Sequence, residues 1–102
     1  MEITDNTLYL ADISVERLMQ EYGSPLYVYE ESVLRSQFRQ LSSGFPQGLL
    51  EIHYSMKANS NPSLLKILLE EGSSIDAVSE FEVRLALESG FEPQQIIFTG
   101  NN

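Results

Sequence analysis

The sequence predicts an α/β fold with parallel strands, on three observations. Beyond residue 49, apolar strand-like runs alternate with helical patterns: Leu50–Met56, Ser74–Val78 and Gln95–Thr99 as strands, Pro62–Glu71 and Glu80–Ser89 as helices. Strand starts recur roughly every 22 residues, the length of one strand plus one crossover helix. A glycine, Gly72 or Gly90, follows each helix, as a C-terminal stop should. Such alternation implies parallel strands covered by helices. Three parallel strands do not close a barrel, and a (β/α)8 barrel needs about 250 residues. The expectation is therefore the first two and a half units of a larger structure.

The elements before residue 50 read less regularly. Residues 7–13 suggest a short strand or extended arm. Ser14 caps a helix whose apolar stripe is Val15, Leu18, Met19 and Tyr22, and Gly23-Ser24-Pro25 stops it. Leu26-Tyr27-Val28-Tyr29 is a compact β-type run, too short for a helix. A second helix is expected from about Glu30 to Leu41, with Leu34, Phe38 and Leu41 on one face, before the loop Ser42–Gly48. Two regions result: an N-terminal arm and helix over residues 1–25, and a partial (β/α) domain over residues 26–102.

Composition narrows the function classes. The net charge of −9, from 6 basic and 15 acidic residues, would repel a nucleic-acid backbone or an anionic membrane surface. The acids are spread along the chain, as on a solvated surface. The absence of cysteine excludes disulfides and thiolate metal sites. No secretory leader and no run of 18 apolar residues is visible, so the expected location is the cytoplasm.

The most informative feature is Met56-Lys57-Ala58-Asn59, where the first of these strands ends before the turn Ser60-Asn61-Pro62. A barrel places its chemistry at the carboxyl ends of its strands. Strand alternation puts Glu51, His53, Ser55 and Lys57 on one side and Leu50, Ile52, Tyr54 and Met56 on the other. The polar set would face a barrel interior, with Lys57 at its mouth and small Ser55 one layer deeper, leaving room for a planar ring. Asp76, near the end of the second parallel strand, would open toward the same mouth. It could pair with the lysine or merely cap a turn. Ser79 and Glu82 fit a capping box, Ser-x-x-Glu, which accounts for Glu82 structurally. His53, mid-strand, reads as a satisfied core histidine rather than an acid–base group. Asn61-Pro62 is an ordinary helix start. An active lysine here points to imine chemistry with a carbonyl, and pyridoxal phosphate is the carbonyl in view.

Tyr54-Ser55-Met56-Lys57-Ala58-Asn59 resembles the Tyr-Ala-x-Lys-Ala-Asn motif of the fold-type III pyridoxal-phosphate decarboxylases that act on basic or diamino acids. Gly23–Tyr29, the stretch Gly72-x-x-x-Asp76-x-Val78-Ser79-x-x-Glu82 with Ala86-Leu87-x-x-Gly90-Phe91, and Phe98–Asn102 resemble further segments of that family, in the same order. The resemblance implies an alanine-racemase-like (β/α)8 barrel, pyridoxal phosphate held by Lys57, and Asp76 close to that lysine. Ser55 stands where the family usually has alanine. The nearest branch acts on meso-diaminopimelate, giving lysine. Ornithine, arginine and carboxynorspermidine decarboxylases and amino-acid racemases share the fold, and a non-catalytic module that only associates with other chains is the alternative of another class. The resemblance also implies a small amino-acid substrate and, for full-length members, a homodimer. The family's phosphate loop and substrate-reading residues have no counterpart in these 102 residues, so this chain alone is expected to be inactive.

Overall fold

The computed structural model describes residues 1–101 and divides them into two compact units, Met1–Glu30 and a second from Glu31 onward. The first unit is an antiparallel meander of β1 (Glu2–Thr4), β2 (Thr7–Leu10) and β3 (Ile13–Ser14), followed by α1 (Val15–Tyr22). Asp5 and Asn6, both at positive φ, form the two-residue turn between β1 and β2, a conformation that Asp and Asn tolerate better than most residues. Ser14 caps α1 as expected, its hydroxyl accepting from the Arg17 N–H at 3.2 Å, and Gly23 at φ 81° ends it. Val15 and Leu18 are half-buried, whereas Met19 and Tyr22 of the same stripe are exposed.

The segment Leu26–Tyr29, expected as a strand, forms none: its backbone pairs with no ladder, and Tyr27 and Tyr29 are exposed. Aromatic and β-branched content supplies a preference, but a strand also requires a neighbour to bond to.

The second unit begins with α2 (Glu31–Ser43) and carries the parallel sheet β4 (His53–Ser55), β5 (Ser74–Ala77) and β6 (Ile96–Phe98), in that spatial order. Two crossover helices join the strands, α3 (Pro62–Glu70) and α4 (Glu80–Glu88). This is the parallel α/β arrangement that the alternating pattern predicts. Each crossover helix begins with its own acceptor: Asn61 Oδ1 takes the Ser63 N–H at 2.9 Å and Ser79 Oγ takes the Glu82 N–H at 3.2 Å. Glu82 in turn accepts from the Val78 N–H at 2.7 Å, one residue earlier than an ordinary capping box would reach.

Register fixes the two faces of the sheet. Tyr54, Ile75 and Ile96 are paired neighbours on the helix-covered face; Ser55, Asp76 and Ile97 are paired neighbours on the other. The core lies on the covered face, where Met56, Leu65, Ile75, Ala77, Ala86 and Phe91 are buried and Tyr54, Leu69, Val83, Leu85 and Ile96 pack around them. Full burial of one such side chain as large as Leu65 or Ile75 contributes about 1.5–3 kcal/mol.

β4 is shorter than the strand expected over Leu50–Met56. After Ser55 the chain leaves extended geometry and makes a single 3-10 turn, Met56–Ala58. Met56 nonetheless keeps its place in the core, where it is only 1% exposed. The alternation argument for the polar face therefore runs through Ser55 and stops before Lys57.

A charged clasp joins α2 to α3. Arg35 donates to Glu31, Glu70 and Glu71, and Arg39 donates to both carboxylate oxygens of Glu71, at 2.6–2.9 Å. Arg39 first and Arg35 second hold the Glu71 carboxyl below its ordinary range, and the shared carboxylates hold both guanidinium groups above theirs.

Candidate active site

Parallel strands share one direction, so Lys57, Asp76 and Thr99 all come to the carboxyl end of the sheet. Lys57 is the centre of the 3-10 turn that follows β4, and it is exposed. Among the described residues its amine has neither an ion-pair nor a hydrogen-bond partner. A primary amine with no salt bridge to break is the form of lysine best placed to meet a carbonyl.

Asp76 is the third residue of β5, half-buried, and its backbone is paired with Ser55 of β4 and Ile97 of β6. Thr99, two residues beyond Ile97, donates from Oγ1 to Asp76 Oδ1 at 2.5 Å. That length is typical of a hydroxyl bound to a carboxylate and fixes the acid's rotamer. Thr99 is itself held in register by its N–H, which donates to the Ala77 carbonyl at 2.9 Å. Gly100 then passes so close to β5 that a Cβ there would stand 2.2 Å from the Val78 carbonyl oxygen. The third turn is thus seated directly on the second.

Ser55, half-buried, lies beside Asp76 in the register, so the structure brings these two expected site residues together on one face. One layer deeper, Glu51 Oε1 accepts from Ser74 Oγ at 2.9 Å and lies 3.1 Å from His53 Nε2, while His53 Nδ1 is 3.4 Å from the Ile75 carbonyl. Both ring nitrogens face protein groups, so His53 belongs to a polar layer beneath the mouth.

Two contributors stand in the family-like segments, but their roles escape a reading from sequence. Thr99 becomes visible only once register pairs Asp76 with Ile97. Tyr54 lies on the core face, yet its hydroxyl reaches past the lysine turn and donates to the Asn59 carbonyl at 2.8 Å.

The arrangement suits an aldehyde cofactor at one end. Lys57 offers an amine without a partner among the described residues, and Asp76 and Ser55 lie side by side near the carboxyl end of the same sheet. The helix starts nearby carry their own acceptors, Asn61, Ser79 and the anionic Glu82, and are poor cradles for a phosphate. These residues therefore fit the reactive end of pyridoxal phosphate rather than its phosphate. No group of three or more His, Asp or Glu side chains suited to a metal ion occurs among the described residues, and no helix there is long and apolar enough to cross a membrane.

Residues 31–102 match the family described as pyridoxal-dependent decarboxylase, pyridoxal binding domain. The chain is 41% identical, over its whole length, to diaminopimelate decarboxylase of Methanothermobacter thermautotrophicus, of which it covers 24%. A crystal structure from Aquifex aeolicus superimposes with a TM-score of 0.91 at 36% identity, covering 99% of this chain and 25% of that one. The structure of Helicobacter pylori diaminopimelate decarboxylase complexed with L-lysine gives a TM-score of 0.78 at 34% identity, covering 85% of this chain and 22% of that one. The chain spans about a quarter of the length of the curated relatives it matches.

Proposed function

Since the chain belongs to the pyridoxal-dependent decarboxylase family, within its pyridoxal binding domain, we propose that it serves the decarboxylation of meso-diaminopimelate to lysine, with Lys57 as the cofactor anchor. The observation that carries this is the position of Lys57: an exposed amine without a partner among the described residues, in a turn rooted in the core at the carboxyl end of a parallel sheet. The substrate reading is supported by relatives named diaminopimelate decarboxylase and by the Helicobacter pylori structure named as a complex with L-lysine. The resemblance of the motifs also supports a homodimer as the working form.

Pyridoxal phosphate, when bound, supplies the electron sink that lets an α-carboxylate leave as CO2. The chain's own residues do the rest of what can be derived from them. Lys57 would hold the aldehyde end through its amine. Asp76, with one oxygen engaged by Thr99, keeps a fixed negative charge at the mouth and favours a cation there. Ser55 keeps the space beside that acid small and polar. Below, Glu51 Oε1, His53 and Ser74 are joined in a polar layer, with Glu51 open to solvent on one side.

The test is made on the complete gene product. Borohydride treatment with pyridoxal phosphate should fix a pyridoxyl group on Lys57, located by peptide mass, and Lys57→Ala should abolish it. CO2 release from meso-diaminopimelate should exceed that from ornithine or arginine. A pyridoxyl group on another lysine, with Lys57 unmodified, overturns the anchor; preference for ornithine overturns the substrate.

A further inference from the structure

Lys57 stands in a very small element. The 3-10 turn Met56–Ala58 is three residues long, with extended backbone on both sides at Ser55 and Asn59. A lone 3-10 turn has poor hydrogen-bond geometry and little stability of its own. Something outside it must hold it if the amine is to keep one position. On the amino side this is Met56, buried in the core. On the carboxyl side it is the Tyr54 hydroxyl, which donates to the Asn59 carbonyl at 2.8 Å.

That bond has the form of a strap. Tyr54 belongs to β4, its ring packs against the buried cluster, and its backbone is in register with Ile75. The hydroxyl is therefore presented from a rigid base. It grips the chain two residues beyond Lys57, so residues 55–58 are enclosed between two fixed points. Asn59 is steadied further by its side chain, whose Oδ1 accepts from the Asn61 N–H at 3.0 Å and so directs the chain into α3.

We infer that Tyr54 is a positioning residue for Lys57, acting through the Asn59 carbonyl to hold the amine where the cofactor aldehyde arrives. The inference rests on Lys57 as the cofactor anchor and adds the device that aims it. Rate in such a site depends on orientation, and a displacement of about 1 Å can cost up to 100-fold. Loss of one neutral hydrogen bond allows the turn to open about fivefold more often.

Tyr54→Phe tests this, because the ring and its packing stay while the strap is cut. Three quantities are compared in the complete gene product: amide exchange at residues 57–59, the rate of pyridoxyl fixation on Lys57, and the induced circular dichroism per bound cofactor. Tyr54→Phe should speed exchange about fivefold, and should slow fixation and weaken the dichroism. Lys66, exposed on α3, reports on the fold at large, and its reaction with a simple aldehyde should not change. Equal fixation rate and equal dichroism in the two proteins overturn the inference. An equal change at Lys66 also overturns it, since Tyr54 would then serve only general stability. Absence of fixation on Lys57 in the unsubstituted protein overturns the anchor itself, an outcome distinct from fixation that proceeds alike in both.

Discussion

Thr99 Oγ1 donates to Asp76 Oδ1 at 2.5 Å, joining the residue just beyond β6 to the acid of β5. Thr99→Val removes the hydroxyl and keeps the shape. It should lower stability by about 1 kcal/mol, the usual worth of one such bond at a partly exposed site. Thr99→Ser should restore most of it. With Asp76 acting beside the cofactor, occupancy of Lys57 by pyridoxal phosphate should follow the same order, and denaturant unfolding alongside cofactor titration reads both.

Gly100 and Gly72 should respond to alanine for different reasons. At Gly100 a Cβ would meet the Val78 carbonyl oxygen at 2.2 Å, so the backbone of the third turn must move. At Gly72 the space is open, and the obstacle is φ of +91° alone. Gly100→Ala should cost about 1–3 kcal/mol or more, as overpacking does. Gly72→Ala should cost about 1 kcal/mol. Thermal melts of the two variants compare these costs, and a Gly100→Ala protein more stable than Gly72→Ala would contradict the close approach.

The Arg35–Arg39–Glu71 clasp makes an acid-sensitive contribution. The Glu71 carboxyl is held below its ordinary value, so the folded state binds its proton less readily than the unfolded chain. Its stabilisation is complete above the ordinary glutamate value, about 4.3, and fades as pH falls through the lower folded value. Arg39→Ala should be less stable than the unsubstituted protein at pH 7, and the gap should close in the acid range. Urea melts between pH 7 and pH 3 provide the comparison, and a gap that persists once Glu71 is protonated would count against the clasp.

Glu82 should behave as part of the start of α4. Its carboxylate accepts from the Val78 N–H at 2.7 Å, and Gln can still accept while Ala cannot. Glu82→Ala should cost about 1 kcal/mol and Glu82→Gln clearly less. Amide exchange at Val78 is the direct measure, and an unprotected Val78 in the unsubstituted protein would refute the contact.

The parts of this fold that are legible in sequence are those written locally. Ser14, Asn61 and Ser79 announce helix starts because a cap acts within three residues. The strand–helix alternation announces a parallel sheet because each crossover has a fixed length. Asp5-Asn6 carried a hairpin signal as well, and with it β1 could have been found. What is not legible depends on distant partners. Leu26–Tyr29 has strand preference and no ladder, and β4 ends at Ser55 although the apolar alternation runs on to Met56. Arg35 and Glu71 meet across 36 positions of chain. In the candidate site the lysine is visible as a motif, whereas the roles of Thr99 and Tyr54, both within family-like segments, show only once register and hydroxyl reach are known.

Met56 and Lys57 are consecutive, one sealed in the interior and the other open to solvent. The molecule thus has no buffer between its foundation and its reagent. A change that merely loosens the packing around Leu65 or Phe91 would be transmitted one peptide further and read out as altered chemistry. Conversely, a ligand that locks the amine would tighten the interior. Selection for stability at Met56 and selection for reactivity at Lys57 act on a single lever.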